Sequence, residues 1–148
     1  MDTSEKKILF PSEEWLAEYV KKINENPEYE KAAKDWEGDF LWVLEPDGTE
    51  PEEFRGQMIT TYYDLWHGQC RKAFLVTPEI PEPKTEYIIS GEYSIWVKML
   101  KGELSAFKAI MMRKLKVKGN LAKIMRANKA TMELNRSARM IENVEFLK

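Results

Sequence analysis

The chain has 148 residues, 43% of them hydrophobic, 32% charged and 11% aromatic, which fits one globular domain with a real core. No run of 18 apolar residues is present, which excludes a membrane-spanning helix, and the single cysteine, Cys70, excludes an intrachain disulfide. The net charge of −2 hides a division: residues 98–139 carry 12 Lys and Arg against two acids, for +10, while residues 1–97 sum to −11. Such a division suits an anionic partner for the later part, or two halves that complement each other.

Ser12 is placed to cap a first helix, whose apolar stripe is Trp15, Leu16, Tyr19, Val20 and Ile23. Asn26-Pro27 opens a second, with Tyr29, Ala32, Ala33 and Trp36 on its inner face and Gly38 as its stop. Phe40 to Leu44 is a continuous apolar run and predicts a strand covered on both faces. Pro46-Asp47-Gly48 is a turn, followed by an acidic, solvated loop up to Arg55. Met58 to Leu65 has strand character, and Trp66-His67-Gly68-Gln69 turns it into a strand from Cys70 to Val76. Pro78, Pro81 and Pro83 mark a loop, and Tyr87 to Ser90 a fourth strand.

Ser90-Gly91 then opens a helix bearing Tyr93, Trp96, Val97 and Leu100, interrupted at Gly102. Leu104, Phe107, Ala109, Ile110 and Met111 predict a short helix. In Lys114-Leu115-Lys116-Val117-Lys118 apolar and ammonium side chains alternate strictly, so this is a strand with one apolar and one charged face. Gly119-Asn120 end it and cap a helix with Leu121, Ile124 and Met125. A last helix, placed at 130–143, carries Leu134, Ala138 and Ile141. The order predicts an α+β domain with a curled sheet covered on one side by helices. An apolar wall beside a row of ammonium groups suits a ligand with a hydrocarbon body and an acidic head, or an anionic lipid surface.

The run Ser90-Gly91, Trp96, Leu100, Gly102, Ala106 and Lys114-Leu115-Lys116-Val117-Lys118-Gly119-Asn120, with Trp36 and Gly38 at the start of the sheet, resembles the sterol carrier protein type 2 domain. The likeness covers most of residues 12–128 of a single domain, 1–148. It implies a five-stranded, mostly antiparallel sheet with helices over one face and an apolar tunnel between them. It implies non-catalytic binding, and transfer, of fatty acid, fatty acyl-CoA or a sterol-like ligand. Many members carry Gln-Gly just before the Lys-Leu of the strand, where this chain has Met112-Arg113. The missing amide favours a fatty-acid or acyl carrier over a cholesterol carrier, and the missing Gly with the added Arg alters backbone and charge at the tunnel mouth.

Ten candidates for the lipid wall follow: Trp96, Leu100, Phe107, Ile110, Met111, Leu115, Val117, Leu121, Ile124 and Met125. Methionine is flexible and polarizable, and Met99, Met112, Met132 and Met140 add to the supply in the later half. Arg113, Lys114, Lys116, Lys118, Lys123 and Arg126 are the candidates for head-group or membrane contact, each with the plainer reading of a charged strand edge or surface. His67 is an exposed turn residue and Cys70 a buried strand thiol. No metal-ligand cluster, phosphate-cradling glycine loop or nucleophile elbow is present, so no catalytic residue, metal or cofactor is assigned.

An alternative is a protein-interaction module whose apolar groove takes a partner's amphipathic segment. Nucleic acid is not the expected partner, because the aromatics sit on apolar stripes and are not interleaved with the basic residues. The charged start, Met1 to Lys7, lacks a signal-type apolar region, and Glu145-Phe146-Leu147-Lys148 is not a Ser-Lys-Leu address, so a cytoplasmic location is expected.

Overall fold

The structure is a computed structural model and describes residues 7–145. The readings made on the two chain ends fall largely on 1–6 and 146–148, outside the described residues.

A two-residue strand, β1 (Ile8–Leu9), leads into α1 (Glu13–Asn24). Ser12 caps α1, its hydroxyl accepting from Trp15 N at 3.0 Å. Acids in its first turn and lysines in its last complement the helix dipole. Trp15, Leu16, Tyr19 and Ile23 are buried, as their spacing predicts. The Asn26 side chain accepts from Glu28 N and Tyr29 N and starts α2 (Pro27–Ala32). This helix is shorter than its sequence suggests. Ala32 is exposed, and Trp36 lies beyond the helix end, donating its ring N–H to the Gly38 carbonyl at 3.0 Å. Gly38 is therefore no helix stop; it sits in β2 (Glu37–Glu45), paired with Leu65.

After β2 the chain forms the expected turn at Pro46-Asp47-Gly48, but the loop behind it is not merely solvated. Glu50 is only 2% exposed. One carboxylate oxygen accepts from Asp47 N and Gly48 N at 2.9 and 2.8 Å, and the other from Gly56 N at 2.9 Å. Hydrogen bonding, led by the Gly56 amide, outweighs desolvation and holds this carboxyl down to about 2. A short 3-10 turn at Glu52–Phe54 completes the loop.

β3 (Ile59–Trp66), β4 (Gln69–Leu75), β5 (Tyr87–Glu92) and β6 (Leu115–Lys118) complete a five-stranded sheet in the order β4-β3-β2-β5-β6. All neighbours are antiparallel except β2 and β5. Ser90 and Gly91 extend β5 and do not open the next helix. The reason is tertiary: Gly91 pairs with Leu115, and a Cβ there would lie 2.6 Å from Leu115 Cδ2. The helix α3 (Tyr93–Leu100) starts two residues later, and the Ser94 amide donates to the Asp47 carboxylate at 3.1 Å.

The remaining helices are α4 (Ala106–Met111), α5 (Leu121–Arg126) and α6 (Asn128–Arg139). The last helix ends before Ile141, which is buried beyond it. The chain turns at Asn143, with φ 60, so that β7 (Val144–Glu145) can pair in parallel with β1. α6 packs against α1, α2, α3 and α4. Tyr19 OH donates to the Leu134 carbonyl at 3.1 Å, and the Asn26 amide to Ser137 Oγ at 3.0 Å.

The inner sheet face presents Phe40, Trp42 and Leu44 to the helices. Trp15, Tyr19, Trp42, Tyr63 and Trp96 form one run of touching rings, with centroid separations from 4.2 to 5.8 Å. Leu41, on the opposite face, is also buried, in line with the continuous apolar run. Among the described residues no helix is long and apolar enough to cross a membrane.

Candidate functional site

A cavity of about 70 Å³ lies between the inner sheet face and the later helices. Phe40, Trp42, Leu65, Ile89 and Leu115 form its floor. Trp96 and Met99 of α3, Ala106 and Ile110 of α4, and Ile124 and Ala127 on and just after α5 form its walls. Ala130, Thr131, Leu134 and Asn135 of α6 close one side, with Tyr29 and Trp36 completing the lining. The cavity is partly open. Its half-buried lining residues are concentrated on α4 and α6, which places the opening there. The volume could hold about five waters at ~10–15 Å³ each, but an apolar lining leaves water few partners.

The backbone explains why the space exists. Leu115 reaches the floor because Gly91 offers no Cβ opposite it. Small residues, Ala106, Ala127 and Ala130, stand where larger ones would fill the gap. Asn120 caps α5 by accepting from Lys123 N at 3.1 Å, and so aims Ile124 inward.

Of the ten residues expected to form a lipid wall, Trp96, Ile110, Leu115 and Ile124 line the cavity. Leu100 is in the core at 1% exposure, away from the lining. Val117 is half-buried, paired with Ile89 at the side of the floor, and Met125 is half-buried on α5. Phe107, Met111 and Leu121 are exposed. Among the described methionines only Met99 joins the lining, while Met112 and Met132 are exposed. Helical spacing marks an apolar stripe, but α4 and α5 have only six residues each, too short for spacing to say which side chains turn inward.

The sequence reading missed the first-half contribution from Tyr29, Trp36, Phe40 and Trp42. A signal existed: Phe40, Trp42 and Leu44 alternate on β2, and the bulky rings share one face. It also missed Asn135. This half-buried amide borders the cavity and has no hydrogen-bond partner among the described residues. Thr131, one turn earlier, donates to the Ala127 carbonyl at 3.1 Å.

The six basic candidates do not form one patch. Leu115 faces the cavity, so alternation turns Lys116 and Lys118 to the opposite sheet face, beside Ser90 and Ile88. Lys123 is folded against the sheet end: its Nζ donates to the Glu37 carbonyl at 2.8 Å and sits 4.6 Å above the Trp36 ring. Arg113, Lys114 and Arg126 are exposed. His67 is exposed in its turn, 2.7 Å from Glu37. Burial pushes the Cys70 thiol up to about 12. Among the described residues no group of three or more His, Cys, Asp and Glu could hold a metal ion.

The profile of the SCP-2 sterol transfer family matches residues 16–131. The chain belongs to this family. A crystal structure of sterol carrier protein 2 is 32% identical, with a TM-score of 0.77, covering 88% of this chain and 97% of that one. A conserved hypothetical protein of Thermus thermophilus, itself suggested to be a sterol carrier protein, is 30% identical with a TM-score of 0.70, covering 86% and 87%. Sterol carrier protein 2 of Aedes aegypti, solved in complex with the C16 fatty acid palmitate, shares the fold at 17% identity and a TM-score of 0.51, covering 80% and 91%. No curated protein matches.

Within the SCP-2 fold, the Met112-Arg113 departure acquires a structural meaning. α3 and α4 end in the same way. Gly102 N bonds to Met99 O at 3.0 Å and Glu103 N to Lys98 O at 2.8 Å; Arg113 N bonds to Ile110 O at 3.0 Å and Lys114 N to Ala109 O at 2.8 Å. Both closures need a left-handed residue, Gly102 at φ 82 and Arg113 at φ 61. Glycine adopts it freely and arginine does not.

Proposed function

We propose that the chain is a non-catalytic carrier of single-chain lipids, fatty acid or fatty acyl-CoA, with the acyl chain in the apolar cavity. The observation that supports this most is the cavity itself: a partly open space beside α4 and α6, lined by aromatic and aliphatic side chains from both halves of the chain. Family membership and the palmitate held by the Aedes aegypti protein support the same ligand class. Residues 1–148 act as one lipid-binding domain with its core at 12–128, working in the cytoplasm.

Outward movement of α4 or α5 as the ligand enters would lengthen the cavity into a tunnel. Each of these helices is six residues long, which keeps the cost of moving them small. Asn135, at the rim, offers its amide to the carboxyl or thioester end. Burying about ten methylenes gains about 8 kcal/mol, from which ordering the ligand subtracts a large part, so micromolar affinity follows.

The test is titration of delipidated protein with a fluorescent fatty acid. Ala106→Trp and Ile110→Trp, which fill the cavity, abolish uptake while the proteins stay folded. Asn135→Leu narrows the preference for a free acid over its methyl ester. Full uptake by both folded tryptophan variants would leave the cavity without this role.

A further inference from the structure

We infer that the outer surface of α4, with the residues just after it, docks on an anionic lipid bilayer beside the cavity opening. Eight large apolar side chains are exposed among the described residues, and five of them fall between 104 and 132: Phe107, Met111, Met112, Leu121 and Met132. Phe107 and Met111 are one helical turn apart on α4, at 46% and 63% exposure, and Met112 follows at 52%. None of these five lines the cavity. Core packing therefore does not account for them.

Charge names the partner. α4 and the three residues after it carry Lys108, Arg113 and Lys114 and no Asp or Glu. Lys108 on α4 and Arg113 just beyond it are exposed next to the apolar residues in the chain, and Arg126 on α5 and Lys129 on α6 are exposed as well. Lys108, Arg113 and Arg126 have no ion-pair partner among the described residues. An apolar helix face whose own segment carries only cations matches a surface that offers hydrocarbon behind phosphate and carboxylate groups. Nucleic acid would meet the charge and leave the methionines in water, and Phe107 alone makes no stacking platform. Arg113 fits this reading: a cation is held at a backbone position that favours glycine.

The inference rests on the carrier reading only for its purpose; its evidence is the surface. The test is flotation of the full chain with vesicles of phosphatidylcholine, alone or mixed with phosphatidylserine, at low and high salt. Binding is expected to the mixed vesicles and to fall with salt. The double variant Phe107→Asp/Met111→Asp is expected to lower partition by about tenfold or more. Lys116→Glu/Lys118→Glu, with the same charge change per site doubled but on the other sheet face, is expected to change it less than about twofold, because screening confines each charge to its own surface. Thermal melts check that both variants fold, and fatty-acid uptake in vesicle-free solution is measured in parallel. Equal loss in the two variants, or no flotation at any composition, overturns the docking surface. Retention on duplex DNA without flotation assigns the charge to nucleic acid and overturns it too. Intact uptake alongside failed flotation leaves the carrier reading standing; failed uptake with intact flotation removes the carrier reading and keeps the docking surface.

Discussion

Glu50 shows how far one side chain can depart from what its neighbours in sequence suggest. It lies in an acidic, proline-bearing stretch of the kind that is normally solvated, yet it accepts three backbone N–H bonds and is nearly inaccessible. No local pattern announces this, because the donors become convergent only after the turn at Pro46-Asp47-Gly48 and the 3-10 turn have formed. A carboxyl whose folded value lies below its unfolded one stabilises the fold fully above the unfolded value and loses that effect as pH falls toward the folded one. For Glu50 the window runs from 4.5 down to about 2. Asp47, lowered by bonds from Ser94 and Thr49 that outweigh desolvation, acts with the same sign. Urea midpoints measured across that window should fall steeply for the parent, and Glu50→Gln should lower the neutral midpoint and flatten the acid limb. An unchanged acid limb in the variant would show that other carboxylates dominate.

At the scale of the element, caps were the most legible signals. Ser12, Asn26 and Asn120 each accept the N–H bonds that their position before an apolar period predicts. Helix ends were less legible. α2 stops before Trp36 because that ring turns back over the sheet, and β5 runs through Gly91 because Leu115 needs the space. Both outcomes depend on residues far away in sequence. The turn after α4 closes at Arg113 where the turn after α3 closes at Gly102, with matching bonds. A left-handed non-glycine residue costs about 1–2 kcal/mol, and the freer unfolded chain of a glycine offsets about 0.4–1 of that. Arg113→Gly should therefore raise stability by roughly 0.5–1 kcal/mol in urea unfolding. A loss of stability would mean that the arginine side chain contributes more than its backbone costs.

For the whole molecule, ligand binding and stability are coupled. If the cavity is used as proposed, fatty acid at about 100 times its dissociation constant adds about 2.7 kcal/mol. For a chain of this length each kcal/mol is about 2–4 °C, so a melting shift of about 5–10 °C is the expected calorimetric result. The filled variant Ala106→Trp should show no shift. A shift retained in that variant would point to lipid bound elsewhere on the molecule.

Local chemistry determined much of this protein. Alternation and periodicity named the strands and helices, the charge division marked 98–139, and the lysine-edged strand with its Gly-Asn ending pointed to the family that the matched profile and structures then established. These features are legible because a strand's faces and a helix's cap depend on residues within a few positions of one another. Only tertiary structure decided which apolar residues border empty space. Leu115 and Leu100 are equally apolar and both buried, yet one lines the cavity and the other fills the core. Phe107 and Met111, indistinguishable from core residues by pattern, face outward, and Lys116 and Lys118 stand on the side of the sheet away from the opening. A cavity is a property of how several elements fail to fill the volume between them, and no single element carries that information.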